Sequence, residues 1–247
     1  MEDTVTADRL LGGRVVLSQP LRGYRAAIDP VLLAAAVPAQ AGESVIELGT
    51  GTGAAALCLT ARVPGVAVTG VEIEPGIAAL AGRNALANGV AERFRVVLAN
   101  VETPGALGTA SFDHAMANPP YHEAATHPPS PEPAKARANT APATGLAVWI
   151  ERALARLRPG GSLTLIQRAD RLGEILSALG ARAGRIGVLP VQPRADAPAS
   201  RIIVQAVKGR RTPLVLLPPL VLHEADGRYT AAAERILFDV VPLTLAA

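Results

Sequence analysis

Ser44-Val45-Ile46-Glu47-Leu48-Gly49-Thr50-Gly51-Thr52-Gly53 is a short apolar run that empties into a turn with glycine at every second position. The run reads as a buried parallel strand, and Ala54 to Arg62 reads as the helix that follows, its first three alanines small enough for close packing. Val66 to Glu72 is a second strand, and it ends in an acid 23 residues after Gly49. Strand, glycine turn, helix, strand and terminal carboxylate together make a nucleotide-binding first half. The glycines let main chain approach a ligand closely, and the carboxylate can accept hydrogen bonds from both hydroxyls of a ribose.

Downstream the pattern repeats. Pro75 to Asn88 is helical with Gly89 as its stop, Phe94 to Asn100 is a third strand, and Phe112 to Ala117 a fourth that delivers Asn118 at its carboxyl end. Open parallel sheets bind ligands at those ends, so Gly49, Glu72, Asn100 and Asn118 are expected to converge on one crevice. Leu146 to Leu157 is an amphipathic helix carrying Trp149. Pro159-Gly160-Gly161 separates it from a fifth strand, Ser162 to Arg168, and Arg171 to Leu179 is a further helix. Upstream, Asp29-Pro30 opens a helix with Asp29 as cap and proline at the first helical position. The tail supplies a strand within Leu214 to Leu222 and a short helix within Tyr229 to Phe238.

Composition bounds the function. A chain of 247 residues, 49% hydrophobic and 18% charged, buries a full core, and with aromatics at 3% that core is built from small aliphatic side chains. One cysteine, Cys58, excludes an intrachain disulfide and points to a reducing compartment; on the helix after the glycine turn it reads as core. Four scattered histidines lack zinc-ligand spacing, so no metal is expected. The acidic start Met1 to Thr6 is no secretory signal and no apolar run is long enough to span a bilayer, so a cytoplasmic location is expected. Net charge is +3, but residues 131–212 carry 14 Lys/Arg against 5 Asp/Glu. Those arginines either solvate helix faces or form a basic face that attracts a polyanion.

Asn118-Pro119-Pro120-Tyr121 is the stretch with chemistry of its own. Two residues before prolines are pushed toward extended backbone, and the two prolines bring no N–H groups. The segment therefore offers a side-chain amide oxygen, main-chain acceptors and the flat face of Tyr121, a receptor for a planar amino group. The alternative is a strand-ending turn. The glycine turn also has two readings: Gly49-x-Gly51-x-x-Ala54 loosely fits a dinucleotide fingerprint, whereas Glu47 with alternating Gly49, Gly51 and Gly53 resembles the first motif of S-adenosylmethionine-dependent methyltransferases.

Glu47 to Gly53 followed 65 residues later by Asn118 to Tyr121 resembles the class I methyltransferases that modify adenine N6, guanine N2 or a glutamine amide. Gln19 to Ala36 and the carboxyl-terminal part resemble the tRNA1(Val) adenine(37) N6-methyltransferase family. The resemblance implies a Rossmann-like α/β fold: a three-layer α/β/α sandwich with a seven-stranded, mostly parallel sheet and an antiparallel edge hairpin. Strands near Ile186 to Val191 and Arg201 to Val207 would form that hairpin. One domain over 1–247 is implied, with a lead-in and helix to residue 40, a core over 41–209 and an extension over 210–247.

It also implies S-adenosyl-L-methionine as cofactor, held by Arg25, Asp29, Glu47, Gly49, Thr50, Gly51, Glu72, Ile73, Asn100, Val101 and Asn118. Asn118, Pro119, Pro120 and Tyr121 are the catalytic set, and Tyr121, Lys135 and Arg137 the substrate contacts, the last two on a Pro- and Ala-rich loop that clamps RNA, in particular tRNA. The chain departs from the family at Asn100, where an acid is expected; its amide oxygen can still accept from an adenine amino group. His122 and Glu123 form no convincing acid/base pair, because no third group orients them. Three other functions fit the same motifs. One is a protein glutamine methyltransferase, disfavoured by the lack of a helical substrate domain before residue 40. The others are an rRNA guanine N2-methyltransferase and a non-catalytic RNA-binding protein with a vestigial cofactor pocket.

Overall fold

The computed structural model describes residues 5–21, 25–120 and 145–245. Its centre is a sheet in which β3 (Ser44–Leu48), β4 (Ala67–Glu72), β5 (Phe94–Leu98), β6 (Phe112–Ala117) and β7 (Leu157–Arg168) run parallel, joined on their far side by β8 (Ala183–Arg194) and β9 (Arg201–Lys208). The order is β8-β9-β7-β6-β3-β4-β5, and β9 alone runs antiparallel to its neighbours. Two short strands, β10 (Val215–Leu216) and β11 (Leu220–His223), pair in parallel with successive stretches of β8. The sheet thus has nine strands rather than the expected seven, because the tail completes the β8 edge instead of lying across the surface.

Alternate residues of each strand face opposite layers, as the pleat requires. On one face Val45, Val68, Phe94, Met116, Ile166 and Ile203 pack against α1 (Asp29–Ala36), α2 (Ala54–Arg62), α3 (Pro75–Ala87) and α6 (Ala231–Phe238). On the other, Ile46, Leu48, Ala115, Leu163 and Val204 pack against α4 (Leu146–Arg156) and α5 (Leu172–Leu179). Helix α1 is buried on all sides, which its apolar run from Pro30 to Ala36 allows. Its last carbonyls have no partners within the helix, so Arg62 takes those of Ala34 and Val37 and Gln205 that of Ala36.

Residues 5–20 are more than a lead-in. β1 (Val5–Leu10) and β2 (Val15–Pro20) form a separate antiparallel hairpin docked on α3. Two asparagines one helical turn apart dock it: the Asn84 amide exchanges hydrogen bonds with the main chain of Ser18, and the Asn88 amide with that of Val16, at 2.7–3.0 Å. Asp29 also departs from expectation. It opens α1 from within the first turn, and its carboxylate pairs with Arg201, 2.6 Å away, instead of capping the helix. A charged partner across the fold outcompetes the local amide.

Candidate active site

The chain runs outward from β3 through β4 to β5, then returns to the other side of β3 as β6. That reversal leaves a crevice beyond the carboxyl ends of β3 and β6, where open α/β sheets take their ligands. Gly49 leaves the tip of β3 and Asn118 the tip of β6, while Glu72 ends β4 and Asn100 lies just beyond β5. The four predicted positions therefore share one edge of four adjacent parallel strands.

The turn is built by its own hydrogen bonds. Thr50 N–H donates to Val71 O at 2.9 Å and Gly51 N–H to the Glu72 carboxylate at 2.9 Å, whose other oxygen accepts from the N–H groups of Ile73 and Glu74. Gly49 and Gly51 have φ of +67° and +57°, a region costly for any other residue. Around Gly51 a side chain would meet nothing within 4 Å, so main chain faces open space there, as close ligand approach requires. At Gly49 the reason differs: an added Cβ would lie 2.7 Å from Cη2 of Trp149, whose ring on α4 closes the turn from the other layer.

Glu47 lies beneath this turn, 3% exposed, and accepts a 2.6 Å hydrogen bond from the Thr50 hydroxyl. Burial pushes its carboxyl up to about 8, with Glu72 adding a smaller like-charge push, against the hydrogen bonds from Thr50 and the Ala56 main chain. Burial holds back its ionisation, and it braces the turn through Thr50. Ile73 is 61% exposed beside Glu72, an open apolar surface suited to a flat ring, and Val101 is buried. The side-chain oxygen of Asn100 accepts from Glu102 N–H at 2.9 Å, so one of its lone pairs is committed to its own turn.

Asn118 is half-buried and Pro119 buried. The Pro119 carbonyl is not bare, as the prolines alone imply: Gln167 on β7, 2% exposed, donates its amide to it at 3.3 Å. Arg25 donates to Asp8, Thr6 and the Pro20 carbonyl, an arrangement that ties it to the β1–β2 hairpin. Tyr121, His122, Glu123, Lys135 and Arg137, with the loop that carries them, lie outside the described residues.

The expected basic face is largely neutralised among the described residues at this edge. Arg168 pairs with Asp170, Arg171 with Glu174, Arg194 with Asp196 and Arg201 with Asp29. Also among the described residues, no group of three or more His, Cys, Asp or Glu could hold a metal, and no helix is long and apolar enough to cross a membrane.

Two residues at the site escaped the sequence reading. Trp149 is the one tryptophan in an aromatic-poor chain, and Gln167 is a lone amide near the end of an apolar strand. Both are conspicuous in the sequence, but only the pairing of β7 with β6 and the position of α4 give them partners.

A model of the methyltransferase small domain matches residues 27–179. Two relatives in Porphyromonas gingivalis strains, both named tRNA1(Val) (adenine(37)-N6)-methyltransferase, are 34% identical over 159 residues and 30% identical over 227. The first alignment spans 61% of each chain and the second 86%. A crystal structure of a predicted O-methyltransferase from Agrobacterium tumefaciens superposes with a TM-score of 0.73 at 28% identity, over 87% of this chain and 98% of that one. With the glycine turn open at Gly51 and a carboxylate at the tip of β4, the site fits the expected cofactor. The chain belongs to the methyltransferase small domain family, has the Rossmann-like class I fold, and takes S-adenosyl-L-methionine as its methyl donor.

Proposed function

We propose that the protein transfers a methyl group to an exocyclic amino nitrogen, adenine N6 in tRNA, in the cytoplasm. The observation that carries this reading is the position of Asn118-Pro119-Pro120 at the tip of β6, beside the glycine turn at the reversal of strand order. The names of the two Porphyromonas relatives support the choice of tRNA adenine.

When bound, the cofactor supplies an electrophilic methyl group on a positively charged sulfur. An adenine amino nitrogen is a poor nucleophile because its lone pair is delocalised into the ring. The Asn118 side-chain oxygen accepts one amino hydrogen and the Pro119 carbonyl the other, which favours a pyramidal nitrogen and stabilises the positive charge that develops on it. Tyr121 stacks on the base, a contact worth about 1–3 kcal/mol, and a base in folded RNA is turned out to reach it. After transfer the nitrogen proton is acidic and leaves to solvent without a dedicated base. Glu72 would accept from a ribose hydroxyl through the Oε2 lone pair that Gly51 N–H leaves open, Ile73 would cover one face of the cofactor's adenine, and Asn100 would accept from its amino group through its remaining lone pair.

A glutamine side-chain amide presents the same planar amino group, so the test offers labelled cofactor to separate tRNA, rRNA and release-factor pools and identifies the labelled product. N6-methyladenosine in tRNA is expected; label confined to protein overturns the reading. Asn118→Ala should leave the affinity for S-adenosylhomocysteine within about twofold while slowing transfer by roughly 100-fold or more, the scale of losing a preorganised polar contact. Full activity in that variant removes Asn118 from the mechanism.

A further inference from the structure

Strand β6 ends at Ala117, opposite Leu165, and beyond it the prolines provide no N–H groups for the ladder with β7. A free carbonyl there would be held only by the stiffness of the chain. Gln167 lies two residues past Leu165 on β7, and its buried side chain fills the gap: Nε2 donates to Pro119 O, while Oε1 accepts from Arg168 N–H at 2.9 Å. The second bond fixes which end of the amide is which. With its oxygen bound to a main-chain N–H, the nitrogen must face Pro119, so the group is a donor that cannot flip.

We infer that Gln167 is a positioning residue for methyl transfer, one that aims the Pro119 carbonyl so that its second lone pair meets the target amino group. The inference rests on the function proposed above. A carbonyl oxygen has two lone pairs; one is taken from the β7 side by Gln167, and the other is left for the incoming hydrogen. Rotation of that carbonyl by a few tens of degrees would misdirect the acceptor without breaking the hydrogen bonds of the glycine turn and Glu72, none of which involves Gln167 among the described residues. The expected signature is a loss in kcat with KM and cofactor affinity preserved.

The test compares wild type, Gln167→Leu and Gln167→Glu, with unmodified tRNA transcripts as acceptor, and measures kcat and KM across pH together with calorimetric binding of S-adenosylhomocysteine. Gln167→Leu keeps bulk and loses the donor; its kcat should fall roughly tenfold or more at all pH, with KM and cofactor affinity within about twofold of wild type. Gln167→Glu can donate to Pro119 only while its carboxyl is protonated, so its kcat relative to wild type should rise as pH falls. A role confined to packing would leave the kcat of Gln167→Leu, which keeps the bulk, near that of wild type. A Gln167→Leu kcat within about twofold of wild type, a loss confined to KM, a matching loss of cofactor affinity, or a flat pH ratio for Gln167→Glu each overturns the inference. Failure of the wild-type protein to methylate any amino group overturns the underlying reading, and the inference with it.

Discussion

Glu47 shows how one buried side chain can brace the turn above it. Sequence alone places it among the cofactor contacts, because an acid precedes the glycine turn. The structure buries it beneath that turn as the acceptor for Thr50, with its carboxyl raised from 4.5 to about 8. Below pH 4.5 the group is protonated in the folded and the unfolded chain alike. Between 4.5 and about 8 the unfolded chain ionises while the folded one resists, so stability drains away as pH rises through that window. Glu47→Gln keeps an acceptor for the Thr50 hydroxyl and removes the ionisation. Its thermal midpoint should fall less than that of wild type between pH 5 and pH 8, a difference on the order of a few kcal/mol. Parallel losses in the two proteins would mean that Glu47 ionises freely in the fold.

Asn84 and Asn88 work as a pair, and so belong to the scale of the element. Spaced by one turn of α3, they meet Ser18 and Val16, which are spaced by one pleat of β2. A helix thereby supplies side-chain amides where a neighbouring strand would supply main chain. Asn84, 1% exposed, also donates to Thr52 O within the glycine turn, so one amide links hairpin, helix and cofactor loop. Asn84→Leu would leave the Ser18 N–H and C=O and the Thr52 carbonyl without this partner, at roughly 1–3 kcal/mol for each group left unsatisfied. Hydrogen exchange should speed up at Ser18 and neighbouring β2 amides while the central strands stay protected. Unchanged exchange in β2 would show that apolar packing, not the amides, holds the hairpin.

That hairpin was illegible in the sequence for a physical reason. β1 alternates only between exposed and half-buried positions, so Val5 to Leu10 has no fully buried side to mark a strand resting on a core. β10 is two residues long, too short for any period. By contrast β3, α2 and β6 could be read with their correct ends, because a glycine or proline lies within two residues of the end of each and each fills an unambiguous layer. At the site, the glycine turn, Glu72 and Asn118 were legible as motif residues. Gln167 was not, since its meaning depends on β7 lying beside β6, a long-range pairing that no local pattern encodes. Asp29 failed similarly, its partner Arg201 being 172 positions away.

Across the whole molecule, charge is organised by the two ends of the sheet. At the amino end, Glu43 and Asp113 gather around His114, Ser162, Ser44 and Arg158. Burial alone would raise both acids. Hydrogen bonds from His114 and Gln40 N–H outweigh it at Glu43, and those from Ser44 together with the charge of Arg158 outweigh it at Asp113, so both carboxyls sit below their usual range. Depressed carboxylates stabilise the fold above their unfolded values of 4.5 and 3.8 and lose that contribution as pH falls below them. Thermal midpoints measured from about pH 3 to about pH 10 should therefore peak on the acid side of neutrality, with Glu47→Gln flattening only the alkaline limb. An optimum above pH 8 would contradict both assignments.

The reversed strand β9 has a consequence for how the chain is made. β9 lies between β7 and β8, yet follows both in the chain. Until residue 208 has left the ribosome, β7 presents an open edge and β8 has no place in the sheet. Domains generally fold as units during synthesis, and an unpaired edge of apolar strand is a template for association with other chains. The nascent protein thus carries its finished glycine turn and Asn118 segment on a half-built sheet, and its period of greatest vulnerability is the translation of residues 169–208.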